Sequence, residues 1–319
     1  MEPLNPAQDR DALKAALLDA PPVVAGAVLD LGRAVFTGSG DSLASALVAT
    51  EFGHRALSAG DLTWGETLPA ACDTVVGISR SGTSGATVRA LRLARDAGLK
   101  TVAITSQTSS PLADSADAVQ LVPDLDVAEI VPCAGHLALA QGVAAVCGVD
   151  TAHLNSALAE TLDRVSELVE SRLTALSTAA PAAISVLSLP ELRSGADFWV
   201  LKLIEACGLA ARNVPLEESG HVDYFIGPQG HLTLQLLGTR GRSRFDRLAE
   251  ALRTTGQSVQ QIDVSGLVDG DKPGAGVVRD LAAAVAGTWF AHGAAVRWGR
   301  PPFRGGAVNM DAKHIKLDS

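Results

Sequence analysis

The chain has 319 residues, of which 47% are hydrophobic and 19% charged, and this composition excludes long disordered stretches because it supports a sizeable core. Its formal net charge of −9 disfavours binding to the negatively charged backbone of nucleic acids, so no nucleic-acid partner is expected. The four cysteines show no C-x-x-C pair, the N-terminus is polar, and no apolar run reaches about 18 residues. These features predict a cytoplasmic protein with no membrane contact, no metal and no cofactor.

The first half of the sequence alternates short apolar runs with helical patterns. Strands are predicted at 34–37, 74–78, 101–105 and 118–122. Helices are predicted at 11–18, 43–57, 86–97, 137–146 and 157–176. Strands that alternate with helices of 10 to 15 residues indicate βαβ units and a parallel sheet, whose ligands bind where the strands end.

The pattern restarts after a boundary at 177–183. Strands are predicted at 184–189, 232–237 and 259–264, with helices at 196–209, 244–254 and 281–298. The sequence therefore predicts an α/β fold in two halves, with domains at 1–180 and 181–300 and a tail at 301–319 that shows no periodicity.

The loop Ser79–Gly85 (SRSGTSG) carries the strongest chemical signal. It follows a strand and precedes a helix, so its hydroxyls stand beside the free N–H groups and partial positive charge of a helix N-terminus. Ser42, in the loop after the neighbouring strand, could face the same ligand. This arrangement predicts a phosphate site, the alternative being an ordinary Ser-rich turn. The G-x-x-x-x-G-K-[ST] and G-x-G-x-x-G patterns are both missing, which argues against a nucleotide.

These loops resemble the SIS (sugar isomerase) family, whose phosphosugar loop reads roughly S-x-S-G-x-T-x-x-T. The resemblance extends over about residues 30–319 to the tandem-SIS isomerase half of glucosamine–fructose-6-phosphate aminotransferase. It implies two flavodoxin-like three-layer αβα halves with parallel sheets. It also implies that the phosphate is bound by five residues, namely Ser42, Ser79, Ser81, Gly82 and Ser84.

Further resemblance lies in the second half. VLKLIEACGLAARNVPLEESGHVDYFI matches the family's L-K-x-x-E segment with a His sixteen residues after the Glu, which gives Lys202, Glu205 and His221. NMDAKHIKLD matches the closing segment of the family and gives Lys313. The resemblance implies that Glu205 is the proton-transfer base and that the lysines bind sugar oxygens or an amine. It also implies that His221 helps to open the ring of a sugar bound to a neighbouring subunit.

The spacing of Lys202 and Glu205 supports this interpretation independently. Residues at i and i+3 share a helix face, so a cation lies beside a carboxylate, as an enediolate site requires. The alternative is a surface ion pair. His221 taken alone is more typical of a loop or core histidine.

Three departures from the family pattern bear on function. The second half lacks an S-x-S-G loop, so one sugar site per chain is expected; Arg240, Arg242 and Arg244 form either a second anion site or, as we favour, a solvated basic face. Gly135 and His136 replace Thr and Lys in the segment that contacts C1 of the sugar. The sequence carries no N-terminal nucleophilic Cys, so glutamine-dependent amination by this chain alone is not expected.

The resulting hypothesis is an aldose–ketose isomerase or amino-sugar-phosphate deaminase that acts on a hexose or amino-hexose 6-phosphate by enediolate or enolamine chemistry. A homodimer with shared active sites is expected. Two alternatives stay open: a fructosamine-phosphate deglycase, and a phosphosugar-binding regulator without turnover.

Overall fold

The computed structural model describes residues 6–24, 26, 30–65, 68–226, 230–270 and 272–300. These residues divide into two compact units. The first unit contains residues 16–127 and 134–156, and the second unit contains residues 6–15, 128–133 and 157–300.

The first unit is built on a parallel sheet of five strands in the order β2-β1-β3-β4-β5. The strands are β1 (Ala34–Gly38), β2 (Arg55–Ser58), β3 (Thr74–Ile78), β4 (Lys100–Thr105) and β5 (Ala118–Leu121). This order is the flavodoxin-like one, in which ligands bind beyond the carboxyl ends of the strands, where the strand order reverses. The reversal lies between β1 and β3, which pair directly, with Ala34 opposite Thr74.

The helices that follow these strands pack on the sheet through small and aliphatic residues. They are α2 (Asp41–Ala46), α3 (Ala59–Gly65), α4 (Gly85–Asp96) and α5 (Ala134–Val146). On α4, the buried Val88, Leu91 and Ala94 recur at helical spacing and face the sheet. Gly77 in β3 permits this packing, because a Cβ atom there would lie 2.9 Å from Cγ of Leu91.

The second unit repeats the topology with four parallel strands in the order β7-β6-β8-β9. They are β6 (Ala183–Ser188), β7 (Ala211–Pro215), β8 (His231–Leu237) and β9 (Ser258–Asp263). The helices with most of their residues in this unit are α1 (Pro6–Asp19), α6 (Leu154–Thr174), α7 (Arg193–Cys207), α8 (Leu216–Val222), α9 (Arg242–Thr254) and α10 (Ala275–Arg297). Strands β6, β7, β8 and β9 thus take the positions that β1, β2, β3 and β4 take in the first unit.

The predicted α/β fold with two parallel sheets is confirmed, but several elements differ. The helix predicted at 43–57 is wrong in its second part: α2 ends at Ala46, a 3₁₀ helix covers Leu47–Phe52, and β2 follows. The physical reason is Gly53, which takes the left-handed conformation (φ 81°) at the end of the 3₁₀ helix and turns the chain into the sheet. The short edge strand β7 was also not predicted, and α10 begins six residues before its predicted start at 281. Across the described ranges, every helix is too short or too polar to cross a bilayer.

Candidate functional site

The carboxyl edge of the first sheet carries an open cavity of about 420 Å³ that lies within the first unit. Its lining consists of Ser42, Ser79, Arg80, Ser81, Ser84, Ser106, Gln107 and Asp124. Four of the five predicted phosphate-binding residues are among them, so the structure brings the loops after β1 and β3 together around one space. Their role in phosphate binding stays a prediction.

The loop after β3 is shaped by a glycine that no other residue replaces easily. Gly82 has φ 67°, and a Cβ atom there would lie 2.1 Å from Oγ of Ser110. Its amide donates to the carbonyl of Ser79, and its own carbonyl accepts from the amide of Leu112. Gly82, the fifth predicted residue, therefore serves the backbone of the loop and fixes where the neighbouring hydroxyls stand.

Helix α4 begins at this loop and adds its N-terminus to the cavity. Ser84 is the N-cap residue and makes no side-chain bond to the helix backbone. The amides of the first turn lack acceptors within the helix and carry partial positive charge. Ser81 and Thr83 share a hydroxyl hydrogen bond of 2.8 Å. Hydroxyls and helix amides around one cavity are the donors that a phosphate group binds.

The backbone of this loop is tied to the end of β4. The carbonyl of Arg80 accepts from the Thr105 and Ser106 hydroxyls at 3.0 Å each, and from the Ser106 amide at 3.2 Å. The Arg80 side chain, on the cavity wall, forms an ion pair with Asp124, with 2.9 Å between Nε and Oδ1. The cavity therefore holds one cation and one carboxylate besides its serines.

Lys202 and Glu205 form the second chemical feature, in the second unit. Both lie on α7, and Nζ of Lys202 is 2.9 Å from Oε2 of Glu205. The Lys202 side chain is fully buried, with Nζ 4.7 Å from the centre of the Phe198 ring, whereas the Glu205 side chain is 38% exposed. The predicted shared helix face is confirmed, and the pair is no ordinary surface pair, because a fully buried lysine is rare unless it is paired.

The Cys133 thiol lies within electrostatic range of Lys202, and a second carboxylate, Glu129, contacts Cys133. The amide of Cys133 donates to Oε1 of Glu129 at 2.8 Å. Burial raises the pKa of the buried Cys133 thiol well above its ordinary value, and the Glu129 carboxylate raises it further, while the Lys202 charge and a hydrogen bond with Thr288 act in the opposite direction. Sequence reasoning missed Cys133 and Thr288.

The structure places His221 in the last turn of α8, exposed to solvent. Within the described residues it forms no hydrogen bond or ion pair with Lys202 or Glu205. Large apolar side chains follow it on the surface, namely Val222, Tyr224, Phe225 and Ile226, with Phe225 79% exposed. Lys313, the fourth predicted catalytic residue, lies outside the described residues, as does the predicted tail at 301–319.

The segment that carries His221 is anchored by a buried carboxylate. Asp223 accepts hydrogen bonds of 2.7 Å from the hydroxyls of Ser185 and Ser219, and it also pairs with Arg212. Its carbonyl accepts from Nε2 of Gln257 at 2.6 Å. The side chains around His221 are thus exposed while the backbone beside them is held by the core of the second unit.

The loop after β8 occupies the position in the second sheet that the serine loop occupies in the first, and it already holds an anion. Oε2 of Glu191 accepts from the Thr239 hydroxyl at 2.7 Å, and Oε1 accepts from the Arg240 amide at 3.0 Å. Burial alone would raise the pKa of Glu191, but these hydrogen bonds and the Arg240 charge outweigh it, and the pKa is lowered. Arg240, Arg242 and Arg244 pair with Glu191, Asp263 and Glu217, respectively.

In the part of the chain that the structure describes, no group of three or more His, Cys, Asp or Glu side chains could hold a metal ion.

Comparison with known proteins gives one family match, which covers part of the chain. Residues 30–128 match the SIS domain. The matched stretch contains β1 to β5. It also contains every residue that lines the cavity at the carboxyl edge of the first sheet, called the serine cavity below. No curated protein sequence matches the chain significantly.

Three solved structures illustrate the structural similarity. Glucosamine-6-phosphate deaminase from Thermotoga maritima has a TM-score of 0.69 at 17% identity, covering 95% of this chain and 96% of the other. The C-terminal domain of glucosamine-fructose-6-phosphate aminotransferase from Francisella tularensis has a TM-score of 0.68 at 12% identity, covering 94% and 96%. Tagatose-6-phosphate ketose/aldose isomerase from Escherichia coli has a TM-score of 0.65 at 20% identity, covering 95% and 90%. Identities this low show a shared fold.

Proposed function

We propose that this chain is a phosphosugar isomerase that acts on a hexose or amino-hexose 6-phosphate. The observation that carries the proposal is the serine cavity at the N-terminus of α4, which lies wholly inside the stretch that matches the SIS domain. The hydroxyls of Ser42, Ser79, Ser81 and Ser84, with the first amides of α4, bind the phosphate group. Two structural neighbours are named as enzymes that act on sugar phosphates, and these names support the same substrate class.

The proton transfer is assigned to the pair on α7. Glu205 is partly exposed and removes a proton from the carbon next to the carbonyl of the open-chain sugar. The bonding electrons move into the carbonyl and form an enediolate, or an enolamine where the substrate carries an amine. Return of the proton from Glu205 to the former carbonyl carbon, with transfer of the hydroxyl proton from the other oxygen to the former carbonyl oxygen, completes the isomerisation. The Lys202 ammonium, beside Glu205, stabilises the oxyanion that develops in this step.

Replacement of Glu205 by Gln tests this assignment, because Gln keeps the shape and removes the basicity. We expect kcat to fall by roughly 10²–10⁴, with phosphosugar binding largely retained. The parent enzyme should also introduce solvent deuterium at C1 or C2 of the substrate, and the variant should not. The matched control is Glu250→Gln on α9, an exposed carboxylate outside the site. Turnover of Glu205→Gln at the parent rate would contradict the mechanism.

A shared site in a homodimer is part of the proposal. His221 is exposed and followed by exposed apolar side chains, a surface that suits contact with a second copy of the chain. In such a homodimer, His221 opens the ring of the sugar that is bound in the partner's site, and Lys313 helps to bind the sugar. Mixing inactive Glu205→Gln chains with inactive His221→Ala chains should restore part of the activity. Failure of complementation despite subunit exchange would argue for sites built from single chains.

Deaminase and deglycase chemistry remain the closest alternatives, because both use the same proton transfer on an amine-bearing sugar phosphate. The structural neighbour named as a glucosamine-6-phosphate deaminase favours an amino-sugar substrate as the second candidate. Ammonia release from glucosamine 6-phosphate, measured with the parent enzyme, separates a deaminase from a simple isomerase. A phosphosugar-binding regulator would bind one or more hexose phosphates and convert none of them.

A further inference from the structure

The serine cavity contains a charged pair that the proposed phosphate-binding set does not use. Arg80 and Asp124 both line it, and both are about half exposed, with side-chain exposures of 56% and 52%. The bond between them joins Nε to Oδ1, so it occupies one of the five N–H donors of the guanidinium. A guanidinium on the wall of this cavity is in reach of a bound phosphate, and the carboxylate beside it competes for the guanidinium charge.

We propose that Asp124 is a specificity-determining residue, which holds the Arg80 guanidinium while the cavity is empty and releases it to the phosphate group of the substrate. This inference rests on the proposed function, because it requires a phosphate in the serine cavity. Arg80 becomes an additional phosphate ligand, and Asp124 sets how strongly the cavity discriminates in favour of doubly charged anions.

The balance of interactions favours such an exchange. Ion pairs between exposed side chains contribute little, so the bond to Asp124 is easily given up. A phosphate group has a charge near −2 at neutral pH and accepts bidentate hydrogen bonds from a guanidinium, which makes it the stronger partner. A ligand of lower charge, such as a carboxylate, binds the guanidinium little more strongly than Asp124 does. A neutral sugar does not displace Asp124 at all. The pair therefore selects by charge.

The surroundings of Arg80 confine the exchange to its side chain. Its carbonyl is held by the Thr105 and Ser106 hydroxyls, so the backbone of the loop stays in place when the ion pair opens. Gly135 leaves room for the aliphatic part of the side chain, because a Cβ atom there would lie 3.1 Å from Cδ of Arg80. The glycine at this position thus leaves room for the Arg80 side chain along the wall of the cavity.

Asp124→Asn is the direct test, because it removes the charge and keeps the size of an exposed side chain. Affinities for fructose 6-phosphate and for inorganic phosphate are measured by calorimetry in low salt. We expect the variant to bind both about 3- to 10-fold more tightly than the parent, with a smaller gain in high salt because exposed charges are screened. Fructose, which carries no charge, serves as the ligand control and should show no gain.

A double-mutant cycle separates release of Arg80 from simple removal of a repulsive charge. In an Arg80→Gln background, Asp124→Asn should change the affinity by less than about 2-fold, since no guanidinium remains to be released. An equal gain in both backgrounds would overturn the exchange, and so would an unchanged affinity of Asp124→Asn. Binding by the parent without a gain in the variant sinks this inference alone. No binding of phosphate or of any hexose phosphate by the parent and the variant sinks the proposed function as well.

Discussion

The loops after β3 and β8 occupy equivalent positions in two sheets that share the order of four strands, yet they differ in the groups that they present. The loop after β3 presents serine hydroxyls to an open cavity, whereas the loop after β8 is closed by the carboxylate of Glu191. Both loops contain a glycine at close approach: a Cβ atom on Gly82 would meet Ser110 at 2.1 Å, and one on Gly238 would meet Glu191 at 2.4 Å. In the second unit, the donors of this loop already bind an anion that the chain itself supplies, the Glu191 carboxylate.

This difference explains why one sugar site per chain is expected. A buried carboxylate that accepts two hydrogen bonds is not easily displaced by a phosphate, because its removal would leave the donors unpaired. The three arginines near the second loop are each paired with a carboxylate. Topology alone therefore does not make a ligand site, and the side chains at the strand ends decide it.

The largest effect on stability is expected from Gly82→Ala, which would break the serine loop. The substitution combines a left-handed backbone with a clash against Ser110, and we expect a loss of at least about 3 kcal/mol of unfolding free energy, together with loss of phosphosugar binding. Gly98→Ala is the matched control: its φ of 76° is similar, but nothing lies within 4 Å of its added Cβ atom. Urea unfolding of both variants measures the difference, and equal losses would show that the contact with Ser110 does not constrain the loop.

A smaller effect is expected from Glu191→Gln, which would weaken the closure of the second loop. One oxygen acceptor becomes an N–H donor that faces another donor, so we expect a loss of about 1–3 kcal/mol at pH 7. Because the pKa of Glu191 is lowered in the folded protein from its ordinary 4.5, the ionised carboxylate stabilises the fold above that value. This contribution is lost as the pH falls through the folded pKa.

Unfolding free energies of parent and Glu191→Gln, measured from pH 7 downwards, should therefore converge below pH 4.5. A constant difference across this range would mean that the charge of Glu191 contributes nothing to the closure. The variant should bind phosphosugar at the first loop as the parent does, which keeps the two loops separable.

The sequence predicted those parts of the fold that depend on local pattern. Strands β3 and β4 are buried at every position except Lys100 and have apolar residues at their centres, and α4 shows a clear buried stripe, so their positions follow from the sequence pattern. The edge strands β2 and β7 are short and half exposed, and their formation depends on pairing with β1 and β6 rather than on their own composition.

The chemical features divide in the same way. The serine loop and the Lys202–Glu205 pair could be predicted, because each is contiguous or lies within one helical turn. The contact of Glu191 with Thr239 joins residues 48 positions apart, and the approach of Cys133 to Lys202 depends on where residues 128–133 fold. Such contacts arise from tertiary packing, which a single sequence does not reveal.

Calorimetric titration with a hexose 6-phosphate shows which loop binds the phosphate. The parent chain is compared with a Ser79→Ala/Ser81→Ala variant and with a Thr239→Ala control. One phosphosugar should bind per chain. The affinity should be at least about 100-fold weaker when the two serine hydroxyls are removed, since hydrogen bonds to charged groups contribute roughly 1.5–3 kcal/mol each. Thr239→Ala, in the closed loop, should bind as the parent does. Two phosphosugars per chain, or an undiminished affinity in the serine variant, would contradict the assignment of the phosphate to the first loop alone.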